Sequence, residues 1–206
     1  MTVDMIMCVN DRNYLDIAVN NGILCGANTH AANRLSEYPL LFLDFAYKKP
    51  DIEKHMKICK RIHPKYVCVP DIMTESDIDT SLDYAIELEQ YVDRVIIIPK
   101  IACVDRIEKK WMIGFSVPTK YGGAEGFGVW DIIDYDVHLL GGSPPQQLKY
   151  KNYLPKIKSF DGNSYIKIAR LSKQYWDGRW ISDDSMTTLE LIDKSVSNIK
   201  HAWGIS

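Results

Sequence analysis

Three aspartates in this 206-residue chain follow short apolar runs. Asp44 closes Leu41-Phe42-Leu43, Asp71 follows Val67-Cys68-Val69-Pro70, and Asp161 follows Ser159-Phe160. If those runs are strands of one sheet, their ends converge on one face. Three carboxylates there can supply a nucleophile, a proton acceptor and a reader of N–H groups. Each also has a plain structural reading, because Asp just past a strand suits the N-cap of the next helix. For Asp161 that reading is weaker, since Gly162 and Asn163 mark a loop rather than a helix start. Twenty positions before Asp161, the run Val137-His138-Leu139-Leu140 stops in Gly141-Gly142-Ser143-Pro144. Paired glycines there let a ligand approach bare backbone. Gly114-Phe115-Ser116-Val117-Pro118-Thr119 has the same look and leads into Tyr121-Gly122-Gly123, a lid or a turn.

Other chemistry is less well supported. The five cysteines form no C-x-x-C pair and mostly sit in apolar runs, so they are expected to be reduced core thiols. His30, His55, His63 and His201 have no metal-ligand spacing, and no metal is expected. His138 lies inside a strand, where a core or hydrogen-bonded role suits it better than catalysis. Neither a G-x-G-x-x-G fingerprint nor a P-loop occurs, so no nucleotide cofactor is expected. Gln174-Tyr175-Trp176-Asp177-Gly178-Arg179-Trp180 mixes aromatic and basic residues that could stack on a base or simply pack. The net charge of -2 conceals an asymmetry. Asp71 to Asp93 holds eight acidic residues and no basic one. Gln146 to Trp180 holds eight Lys/Arg against two Asp, surrounding Asp161 where a polyanion would be steered.

The elements that must position these residues are legible as eight apolar, β-branched runs: 3–9, 23–27, 40–45, 66–70, 95–99, 112–117, 137–140 and 156–160. Most are continuous rather than alternating, as expected for parallel strands buried on both faces. Helices are predicted over 51–62, ending before His63-Pro64, and over 76–91, where Ile78, Leu82, Ala85, Ile86 and Leu88 share a side. Strand–helix alternation makes the chain α/β, and eight strands favour a closed (β/α)8 TIM-like barrel over an open Rossmann-like sheet. About 250 residues is usual for that fold, so some connections must be loops, especially around 118–136. The segment 187–203 reads as an amphipathic closing helix, and residues 1–206 as a single domain. With no apolar run of eighteen residues and no basic, apolar leader, a cytosolic protein that does not enter a membrane is expected.

With these residues in view, the chain resembles the tRNA-guanine transglycosylase superfamily. It is most similar to the small phage and bacterial members that insert 7-deazaguanines into DNA. His138-Leu139-Leu140-Gly141-Gly142-Ser143-Pro144 is similar to the family's glycine-bearing strand end, whose backbone meets the base. Phe160-Asp161-Gly162-Asn163-Ser164 looks like its next strand, which carries the nucleophile. The resemblance covers roughly residues 40 to 180. It implies Asp161 as nucleophile, Asp44 as general base and Asp71 as reader of the guanine Watson–Crick edge. Gly114, Ser116, Gly141, Gly142 and Asn163 would complete the base site. The acceptor would be a nucleic acid, DNA more than tRNA because the zinc subdomain of the tRNA enzymes is missing. Lys149, Lys151, Lys156, Lys158 and Arg179 would be its phosphate contacts. The second substrate would be a free 7-deazaguanine base such as preQ0, exchanged through a covalent aspartyl-glycosyl intermediate with no cofactor. Family members often dimerise, though no residue here marks an interface. If phage-encoded, the protein would work in the host cytosol. One departure stands out: Asp44 is followed by Phe45-Ala46 rather than the Ser-Gly-Gly usual in the tRNA enzymes.

Two other readings fit the residues. One is a barrel enzyme acting on a small molecule, glycosidase-, nucleosidase- or aldolase-like, since paired carboxylates also serve hydrolysis. The other is a non-catalytic barrel that holds a nucleobase or a partner protein.

Overall fold

The computed structural model describes residues 3–119, 123 and 126–205. Eight parallel strands close into a barrel in sequence order: β1 (Asp4–Cys8), β2 (Leu24–Asn28), β3 (Leu40–Asp44), β4 (Tyr66–Cys68), β5 (Arg94–Ile97), β6 (Met112–Ser116), β7 (Val137–Leu140) and β8 (Ile157–Asp161). Closure is made by β1 on β8, with Met5 opposite Phe160 and Ile6 opposite Asp161. All eight predicted runs are strands, and the fold is the α/β TIM-like barrel expected of them.

The continuous apolar runs have a simple cause. Alternate residues of each strand point into the barrel or out toward the helices, and both sides are dry. In β6 all five residues are buried. Inward-facing Ile6, Phe42, Tyr66, Cys68, Ile96, Ile98 and Met112 form a small inner core. The outward residues join the helices in a larger shell.

Five helices follow strands. They are α1 (Arg12–Asn20), α2 (Ile52–Ile62), α3 (Asp77–Leu88), α4 (Pro144–Lys151) and α5 (Ser164–Ser172). The connections β2–β3 and β5–β6 instead hold short 3-10 turns at Ala32–Leu35 and Val104–Arg106. The described part of the β6–β7 connection is also non-helical, and these economies fit the barrel into 206 residues. Tyr121 and Gly122 of the glycine segment lie outside the described residues.

The two helices read from periodicity are present. α2 stops because His63 adopts a left-handed conformation, φ 46°, just before Pro64. α3 buries Ile78, Ala85 and Leu88, but Ile86 stands 49% exposed rather than on the packed side. The closing helix is α6 (Thr188–Trp203), opened by a reciprocal Thr187/Glu190 cap and stopped at left-handed Gly204. It buries Leu191, Ile192, Val196 and Ile199, while Leu189 faces outward. Its last residue, Trp203, stacks on Phe160 of β8 with ring centroids 4.3 Å apart.

Between α5 and α6 lies a hairpin that periodicity did not suggest, β9 (Gln174–Trp176) with β10 (Trp180–Ser182). Tyr175 and Trp176 are buried, and the Trp176 N–H donates to Ser195 Oγ of α6. These aromatics pack; they do not offer a stacking surface.

Candidate functional site

Strand ends of a parallel barrel gather on one face, and here they bring Asp44, Asp71 and Asp161 into one cleft of about 700 Å³. None of the three caps a helix. α2 is capped by Asp51, whose side chain accepts from the Lys54 N–H, while α3 and α5 start after Ser76 and Asn163. The carboxylates are therefore left for the cleft.

Asp161 is held from the neighbouring strand. Its Oδ1 accepts the Gly141 N–H at 3.1 Å. That amide is aimed there because Gly141 and Gly142 are both left-handed, φ 69° and 83°, turning the chain sharply from β7 into α4. Gln147 of α4, buried, locks the turn by donating to the backbone oxygens of Gly141 and Asp161. Gly162 is closely surrounded as well, since a Cβ there would lie 3.2 Å from Gln147 Nε2 and from Gly142 O.

The two glycines differ in what surrounds them. A Cβ on Gly141 would meet nothing within 4 Å, but one on Gly142 would lie 2.7 Å from Val117 Cγ1. Gly142→Ala is expected to lower stability by about 2 kcal/mol or more, and Gly141→Ala by about 1 kcal/mol. Thermal unfolding of the two variants checks that order.

Asp44 and Asp71 sit in different fields. Burial, then the negative charges of Asp161 and Asp71, raise the Asp44 carboxyl from 3.8 to about 7. Asp71 is also raised by burial, but Lys100 opposes the shift. The Lys100 ammonium lies 3.5 Å from Asp71 Oδ2 and donates to Ser116 Oγ. Both residues are placed by an extension of the β4–β5 pairing. The Ile72 N–H donates to Ile98 O, and the Lys100 N–H donates to Ile72 O. Beneath the carboxylates lie the thiols of Cys8 and Cys68. Burial, then the charges of Asp44 and Asp161, push both well above the ordinary thiol value, so they stay protonated. They are free thiols, as are the other three.

Of the expected base-site residues, Ser116, Gly141, Gly142 and Asn163 line the cleft. The Asn163 amide is already engaged, donating to Cys8 O at 3.0 Å. The Gly141 N–H is likewise engaged, by Asp161, and its C=O accepts from Gln147. Gly114 is a correction. It lies inside the barrel, where a Cβ would be 2.7 Å from Ile98 Cγ1 and 2.9 Å from Ile96 Cγ2. Its smallness serves packing below the cleft.

The lysine set is a second correction. Lys156 and Lys158 stand at the start of β8, bound to Asp134 O and paired with Asp136 at the foot of β7. Those are five and three residue steps of about 3.3 Å, roughly 17 and 10 Å, from Asp161 at the other end of the strand. Lys149 and Lys151 lie in the last turn of α4, which returns to that same end, and Lys151 donates to the carbonyls of Ala202 and Trp203. Arg179 is exposed between β9 and β10. Proximity in sequence misled here because a strand places its two ends on opposite faces. Lys149→Glu and Lys156→Glu are accordingly expected to change binding of a free nucleobase in the cleft by less than about twofold, since charges at the other end of the barrel are screened. Titration of the ligand into each variant checks this.

Lys100 and Gln147 are site residues that the sequence did not announce. Lys100 follows Ile98-Pro99 at a strand end, and that position was its only signal. Two exposed side chains, Tyr47 and Met73, stand at the cleft mouth. A neighbouring cleft of about 620 Å³ shares Asp44 and Asn163 and carries Arg170 on its wall. Among the described residues, no group of three or more His, Cys, Asp or Glu is placed to hold a metal ion. No described helix is long and apolar enough to cross a membrane.

A search of the curated proteins found no match for the chain. The model of a family of unknown function, DUF6610, matches residues 18–204, nearly the whole barrel. By that match the chain belongs to the DUF6610 family.

Proposed function

We propose that this barrel is a base-exchanging guanine transglycosylase that acts on a nucleic acid, DNA in preference to tRNA. One observation carries the reading: the three strand-end carboxylates share a cleft in which Asp44 and Asp71 sit in different fields. Asp161 is held through Oδ1 and presents its other oxygen, as a nucleophile requires. Asp44, raised to about 7, can accept and return a proton near neutral pH. Asp71, paired with Lys100, keeps an acceptor edge available for N–H groups of a bound ring.

Asp161 Oδ2 would attack C1′ of the target nucleoside. The C1′–N9 bond breaks with its electron pair leaving on guanine, whose N9 takes a proton from solvent, and a glycosyl ester of Asp161 forms. The incoming 7-deazaguanine gives its N9 proton to Asp44, and N9 attacks C1′, returning Asp161 as a carboxylate. The target base must leave its stack to reach the cleft, at a cost of a few kcal/mol that protein contacts offset. Tyr47 and Met73 at the mouth offer apolar surface for such a ring.

The position of the lysines supports a second reading. With Lys149, Lys151, Lys156 and Lys158 away from the cleft, a small nucleoside or glycoside is a competing substrate. Nucleoside mass spectrometry on DNA and tRNA, after incubation with the protein and preQ0, tests the first reading. A parallel assay for base release from free nucleosides tests the second. Deazaguanosine in one polymer is expected. Base release from free nucleosides with both polymers unchanged would replace exchange by hydrolysis.

A further inference from the structure

Under Asp161 the barrel holds a buried histidine that the exchange mechanism does not use. His138 is fully buried on β7, lying against Phe42 with ring centroids 5.3 Å apart. Its Nδ1 is 2.9 Å from Ser159 Oγ. Its Nε2 meets no hydrogen-bond partner, and it lies 3.5 Å from Asp161 Oδ1. Further polar groups lie below. The Tyr66 phenol donates its O–H to Asp4 Oδ2 at 2.6 Å. Asp4 also pairs with Lys65 at the foot of the barrel.

Counting protons at the His138–Ser159 contact limits the states of the imidazole. Ser159 Oγ either donates to His138 Nδ1 or accepts from it. If it donates, the neutral ring carries its proton on Nε2. If it accepts, Nδ1 carries the proton. A neutral ring would then aim the bare Nε2 lone pair at a carboxylate oxygen, in a site closed to water. Only a second proton, on Nε2, removes that clash. Both acceptable arrangements place a proton on Nε2.

The geometry points to His138 as a positioning residue for Asp161, and this rests on the exchange reading above. The Nε2–H and the Gly141 N–H together hold Oδ1. Among the described residues nothing donates to Oδ2, which becomes the oxygen that attacks. The 3.5 Å separation is longer than a hydrogen bond and closes with a small rotation of the carboxylate, as unliganded sites often require. Oδ1 keeps both donors when Oδ2 is esterified, so the same contacts orient the leaving carboxylate in the return step.

Histidine-labelled ¹⁵N NMR of the full chain, with His138 assigned through His138→Gln, tests the geometry without any substrate. Protonated Nε2 is expected. An unprotonated Nε2 with protonated Nδ1 would overturn the inference. In the exchange assay, His138→Leu is expected to lower kcat about tenfold to a hundredfold while KM for the free base changes little. His138→Gln, whose amide can reach the same oxygen, should recover part of the loss. A folded His138→Leu protein with wild-type kcat would also sink the proposal. If the wild type exchanges no base, the exchange reading fails, and the NMR result still decides where the Nε2 proton is.

Discussion

Asp161→Asn is expected to abolish base exchange while leaving the barrel intact. The amide keeps the shape of the side chain and its acceptor for the Gly141 N–H. It cannot form the ester, because an amide lacks the charge and nucleophilicity of a carboxylate. The loss should reach about 10⁴-fold or more, the scale seen when a covalent nucleophile is removed. The measurement has two parts, deazaguanosine formation by mass spectrometry and thermal unfolding at pH 7. A normal unfolding midpoint with no product supports the nucleophile. Near-wild-type exchange would mean that another group attacks, with Asp44 the first candidate. A collapse of stability would show instead that the carboxylate's tie to β7 holds the strand ends together.

Asp44→Asn is expected to act on activity and stability in opposite directions. As the proton acceptor for the incoming base, Asp44 should give exchange an activity limb that rises with pH around a midpoint near 7. In the variant that limb disappears and the rate falls by about 10²–10⁴. Stability follows from the same environment. Unfolded, the carboxyl titrates near 3.8; folded, it is held near 7 by burial and by the charges of Asp161 and Asp71. Between those values the folded protein keeps a proton that the unfolded chain has released. The contribution of Asp44 is therefore full below about pH 4 and is lost as the pH rises through 7. At pH 8 the wild type carries a buried charge that Asn lacks. The variant should then be the more stable protein, by no more than about 4 kcal/mol, with the gap shrinking toward pH 4. Unfolding midpoints of both proteins across pH 4 to 8 check the sign. A variant less stable than wild type at pH 8 would mean that the Asp44 carboxylate is held by interactions Asn cannot replace.

The order and number of the apolar runs favoured a barrel over an open sheet, and the barrel is what forms. Strands buried on both faces are mostly apolar along their length, so 3–9, 40–45 and 112–117 stand out in one dimension. Asp44, Asp71 and Asp161 were legible for the same reason, because a carboxylate ending a buried strand is conspicuous. Helices α1, α4 and α5 were less so. α4 is rich in Pro, Gln and Lys and shows little apolar face, and α1 and α5 are only nine residues each. The hairpin 174–182 hid among aromatics that could equally have faced a ligand.

Closure of the barrel settled which residues meet. It separated Lys156 and Lys158 from Asp161, because a strand carries neighbours in sequence to opposite ends of the barrel. It placed Gly114 against Ile96 and Ile98, set Lys100 beside Asp71, and brought Gln147 across to the backbone of Asp161. It also set the His138 ring against the Asp161 carboxylate. Burial and pairwise distance fix the proton affinity of Asp44 and the partner of Asp161, and both arise only when β3, β4, β7 and β8 close around a single cleft.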